Sequence, residues 1–87
     1  MNDWINTAEK LPEKETLVEV KSDYFPGGAN YAVLADTEQG IKWFYFGTDP
    51  VNNKITRMGL EVIPKWRSVG ADVYEKFHIS PDSFRSI

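Results

Sequence analysis

Apolar residues in this chain fall largely in short, partly alternating runs separated by turn-forming residues, a pattern that predicts strands. In Thr16-Leu-Val-Glu-Val-Lys-Ser22, Val18 and Val20 share one face, Leu17, Glu19 and Lys21 the other, and the β-branched content favours an extended backbone. Residues 31–35 read as a second strand, 36–40 as a polar connection of hairpin length, and 41–46 as a third strand. In that third strand Trp43 and Tyr45 oppose Phe44 and Phe46, so both faces are apolar and a central place in the sheet is expected. Residues 60–69 give a fourth, with Leu60, Val62 and Trp66 in phase. Pro64 has no N–H for a ladder and marks an edge or a bulge there.

The flanking segments are irregular. Trp4 to Pro12 holds at most one helical turn, capped by Asn6 or Thr7 and closed by Pro12, with Trp4, Ile5 and Leu11 as a flap over the core. Residues 47–53 are dense in turn formers, and a connection or short ribbon runs on through Ile55 and Met58 to Gly59. Val73 and Phe77, at i and i+4, suggest a short helix, and Ser80-Pro81 sets the cap and first position of another turn. The expected fold is α+β, mainly β: a small curved antiparallel sheet of about four strands with short helical segments near the termini. One domain is expected over 1–87, with a β-rich core at 3–69 and a C-terminal helical extension at 71–87.

Composition adds constraints. The 87 residues include three Trp, four Tyr and five Phe, enough aromatic surface for a core in a chain with no cysteine to form a disulfide or a thiolate metal site. No run reaches the roughly 18 apolar residues of a membrane span, and a cytoplasmic location is expected. Formal net charge is −3 but unevenly spread. Eight acids face Lys10, Lys14 and Lys21 in residues 1–40, whereas Lys42, Lys54, Arg57, Lys65 and Arg67 face only Asp49 and Glu61 in residues 41–70. The overall acidity argues against general affinity for phosphate backbones.

The order Asp3-Trp-Ile, Leu11-Pro12, a valine-rich strand, an aromatic strand and then Ile63-Pro-Lys-Trp66 resembles the small phage and prophage domains of unknown function of family 551. The likeness spans residues 3–68. It implies a phage or prophage origin and, as for many small accessory phage proteins, binding to and inhibition of a host factor such as a defence system. It supplies no catalytic residue.

Candidate chemistry is sparse. The sole histidine, His78, stands beside Ser80, Asp82 and Ser83 on a tail, a poor setting for the rigid geometry of nucleophilic catalysis. Glu13 and Glu15, or Asp36 and Glu38, sit two apart but read as solvated charges, and Gly27-Gly28 lacks the spacing and lysine of a phosphate loop. No catalytic residue, cofactor or metal is expected. Protein binding fits best, because interfaces concentrate aromatic residues, Met and Arg at their energetic centres. Tyr24 and Phe25 in the loop Ser22-Asp-Tyr-Phe-Pro-Gly-Gly-Ala-Asn30, with Arg57, Met58 and Arg67, are the partner-binding candidates, though a ring of that loop folding back as a lid is an equal rival. One alternative is a nucleic-acid or nucleotide-binding module using the five cations of 41–70 beside Trp43 and Tyr45. Another is a structural homo-oligomer joined at strand edges.

Overall fold

The computed structural model describes residues 3–85, and they form one antiparallel sheet of six strands. The strands are β1 (Ile5–Asn6), β2 (Leu17–Lys21), β3 (Asn30–Thr37), β4 (Gly40–Gly47), β5 (Thr56–Met58) and β6 (Lys65–Ser68), in the spatial order β1-β6-β2-β3-β4-β5. The mainly β expectation holds, with six strands in place of about four. The two additional strands are both edge strands of two or three residues, too short to leave a period in the sequence. Near the N-terminus the expected single turn is closed by the Glu9 and Lys10 N–H groups on the Asn6 carbonyl at 3.0 and 3.1 Å, whereas helices form toward the C-terminus, as α1 (Ala71–Phe77) and the 3-10 helix Pro81–Phe84, and in the chain interior as the 3-10 turn Leu60–Val62.

Alternation along the strands sorts the core into two layers. Val18, Val20, Ala32, Leu34, Trp43 and Trp66 line the first face, under Ile63, Leu60 and Leu11. Those three come from the crossover between β5 and β6 and from the N-terminal segment. Leu17, Tyr31, Val33 and Phe46 line the second face, where Phe84 is buried and α1 contributes Val73 and Phe77. The ring of Phe77 meets Tyr31 edge-on at 5.6 Å, and Phe84 meets Phe46 edge-on at 5.3 Å. The C-terminal extension is therefore the lid of the second layer.

Several local expectations change. The aromatic strand β4 lies one place in from the edge, and β2 and β3 are the inner pair. Apolar residues on both its faces reflect the two covers rather than a central position. The fourth strand begins only at Lys65, because Leu60–Val62 turns as 3-10 helix and Pro64 stays outside the ladder, where its carbonyl accepts from the Thr7 N–H at 2.9 Å. The hairpin between β3 and β4 closes over Glu38 and Gln39 with Gly40 at φ 100°, a left-handed backbone that glycine adopts without penalty. The N-terminal flap divides: Ile5 and Leu11 pack on the first face, while Trp4, one position out of phase, stands beside Arg67 on the second.

Two buried indoles differ in hydrogen bonding. Trp66 donates from Nε1 to the Lys10 carbonyl at 2.8 Å, tying β6 to the N-terminal segment, whereas nothing among the described residues accepts from the buried Trp43 Nε1. Replacing either by Phe removes similar apolar area, but only Trp66→Phe also breaks a hydrogen bond, worth about 0.5–1.5 kcal/mol. Urea unfolding should find Trp66→Phe less stable than Trp43→Phe by about that amount. A Trp43→Phe variant of equal or lower stability would show that the indole bond does not hold the segment.

Candidate functional site

The β2–β3 loop builds the most exposed aromatic feature of the molecule. Ser22 starts it: its Oγ accepts from the Tyr24 N–H at 3.3 Å and its carbonyl from the Phe25 N–H at 3.2 Å, so residues 22–25 form a closed turn. Gly28, at φ 91°, reverses the chain toward β3. The two aromatic neighbours then part. Phe25 lies flat on Tyr45, with ring centroids 4.1 Å apart and planes 13° from parallel, and joins the first-face core. Tyr24 points the other way and is 83% exposed. Of the pair, Phe25 is the ring that folds back as a lid, and Tyr24 is left exposed.

A buried amide fixes this arrangement. Asn30, only 3% exposed, donates from Nδ2 to the Pro26 carbonyl at 2.9 Å and to the Gly28 carbonyl at 3.3 Å. Its Oδ1 accepts from the Tyr45 hydroxyl at 2.6 Å. Loop, strand β3 and strand β4 are thus joined through one side chain whose amide dipole is satisfied at both ends.

Beside the loop lies a cleft of about 500 Å³ bounded by Trp4, Lys21, Asp23, Phe25 and Gly27. Trp4 carries the Arg67 guanidinium at 4.3 Å and the Lys21 ammonium at 5.6 Å over its ring. Arg67 also donates from Nε to Glu19 Oε1 at 3.0 Å, its directly opposed neighbour on β2. A larger cleft, about 610 Å³ between the N-terminal turn and the crossover, is lined mainly by apolar groups such as Leu11 and Leu60. There the Thr7 hydroxyl is already taken by the Ile63 carbonyl at 2.7 Å, so the polar groups do not converge on the space.

The remaining candidates lie elsewhere. Arg57 and Met58 are on β5, not on a loop; Arg57 covers Phe44 at 5.4 Å, and Met58 packs half-buried against the first-face core. Three strands separate β5 from β6, so Arg57 and Arg67 stand about 19 Å apart in strand spacings. Lys42 and Arg57, on β4 and β5, are accordingly separated across the strand order from Lys65 and Arg67 on β6. Trp43 is fully buried and Tyr45 is covered by Phe25, so neither ring offers a stacking platform. His78 ends α1 at φ 56°, and Ser80 and Ser83 bond to each other at the start of the last 3-10 helix. Among the described residues, no three His, Asp or Glu side chains converge as metal ligands, and no helix is long and apolar enough to cross a membrane.

Sequence reasoning missed Trp4, Lys21 and Lys65 as a group with Arg67. Their common face follows from the pairing of β6 with both β1 and β2, and β1 is invisible as a strand in the sequence. Comparison with protein-family models, with curated proteins and with solved structures finds no match.

Burial raises the phenol of Tyr45 above its ordinary value of 10.0, and burial first, then Glu19 and Asp72, raises that of Tyr31. The native state then holds these protons to higher pH than the unfolded chain. Their contribution to stability is complete below the unfolded value and is lost as pH rises through the folded one. Urea midpoints should fall above about pH 10, and fall less steeply in Tyr45→Phe. Equal alkaline slopes in the two proteins would remove Tyr45 from the effect.

Proposed function

We propose that this chain is a non-enzymatic binding protein that docks on another protein through Tyr24 at the tip of the β2–β3 loop. Following the resemblance, it acts as a phage or prophage accessory protein in the host cytoplasm, inhibiting a host factor such as a defence system. The observation that carries the docking reading is the loop's division of labour: Phe25 is pinned on Tyr45 and Asn30 holds the loop carbonyls, while Tyr24 is left 83% exposed. A tyrosine on a turn that is already closed loses little conformational freedom on binding, which favours it as an interface anchor. Exposed Val51 and Ile55 lie in the β4–β5 connection, at the same end of the sheet as the Tyr24 loop, and extend the apolar contact there.

The nucleic-acid reading gains no support from Trp43 or Tyr45, both covered. Homo-oligomerisation by strand pairing would start from the outer strands, which among the described residues are the two-residue β1 and the three-residue β5, and very short edge strands are one way in which such pairing is blunted.

Tyr24→Ala tests the reading. The immobilised chain should enrich one protein from lysate of the host cell, and the affinity of that purified protein for Tyr24→Ala should fall by roughly 30-fold or more, the loss of an anchor worth about 2 kcal/mol. The urea midpoint should stay unchanged, since Tyr24 makes no core contact. Undiminished affinity in the variant would exclude the loop as the docking site.

A further inference from the structure

We infer that the partner presents an acidic peptide segment, and that Trp4, Lys21, Lys65 and Arg67 form the site that receives it. This rests on the docking reading in one respect, that the same partner reaches both the Tyr24 tip and the neighbouring patch. The register places Lys21 directly opposite Lys65 and Glu19 directly opposite Arg67, with all four side chains on the second face. Like charges directly opposed across a ladder repel. Among the described residues neither lysine has an ion-pair partner, and both are exposed. Trp4 gathers Lys21 and Arg67 over its ring, and a neutral ring orders cations without cancelling their charge. Glu19 pairs with Arg67, and with Asp23 on the adjoining cleft two acids stand against three cations, which leaves a small excess of positive charge on an otherwise acidic chain.

The details favour carboxylates over a nucleic-acid backbone. Arg67 uses Nε for Glu19, leaving the rest of its planar fork for a second anionic acceptor, carboxylate or phosphate alike, so the choice between them rests on what surrounds it. Its guanidinium already lies on the Trp4 ring, so a nucleobase would have to displace it in order to stack. Asp23 borders the same cleft as Lys21 and Trp4 and interrupts the basic surface, which suits a few discrete carboxylates rather than a continuous polyanion.

The test uses the purified full chain and three fluorescein-labelled probes, hexaglutamate, hexaglutamine and octathymidylate, followed by anisotropy at about 20 mM salt, where surface charges are weakly screened. Hexaglutamate should bind most tightly of the three and weaken as salt rises. The double change Lys21→Gln, Lys65→Gln should lower its affinity by roughly tenfold or more, about 1.4 kcal/mol. The control pair Lys42→Gln, Lys54→Gln removes the same charge elsewhere and should leave the affinity nearly unchanged. No binding of hexaglutamate, equal loss in both double variants, or tighter binding of octathymidylate would overturn the inference. Because the probes need no captured partner, failure here and failure of the Tyr24 capture are separate results.

Discussion

One buried amide holds the candidate site in place. Asn30 stands at the first position of β3, where a polar side chain inside the core must satisfy its own hydrogen bonds or destabilise the fold. It does so by engaging two loop carbonyls with its NH2 and the Tyr45 hydroxyl with its oxygen. Phe25 then has a fixed surface to stack on, and the turn that precedes it must direct Tyr24 outward. The Phe25 stack and the outward place of Tyr24 thus depend on the same three groups.

The sheet distributes the rest. Strand pairing brings β1, β6 and β2 side by side, so residues from the first quarter of the chain and from its later part share one surface. Trp4 and Ile5, adjacent in sequence, serve opposite layers: Ile5 closes the first-face core opposite Trp66, and Trp4 collects cations on the second. The C-terminal helices cover the middle of that second face through Phe77 and Phe84.

Legibility followed range of interaction. The alternation in β2 and β4, the helix ending at Phe77 and the Ser80-Pro81 start are local properties, and the structure has them where the pattern puts them. Strand β1 exists only through its partner, so no window of its own sequence reveals it, and β5 falls where the sequence left a connection and a short ribbon as alternatives. The same limit applies to the site. The sequence left a lid and a contact site as equal readings of Tyr24 and Phe25; that Phe25 is the ring that folds back depends on Tyr45, twenty residues away and across a strand. The separation of Arg57 from Arg67 is a matter of strand order, which composition does not carry.

Backbone 15N relaxation across residues 22–29, in the unaltered chain and in Asn30→Ala, tests the central claim, that Asn30 makes the Tyr24 loop rigid before any partner arrives. Order parameters near about 0.85, as in rigid backbone, are expected in the unaltered chain, falling toward about 0.6 or below in the variant while β2 and β4 stay ordered. A loop already below about 0.6 in the unaltered chain, or one that stays rigid without the amide, would contradict the account.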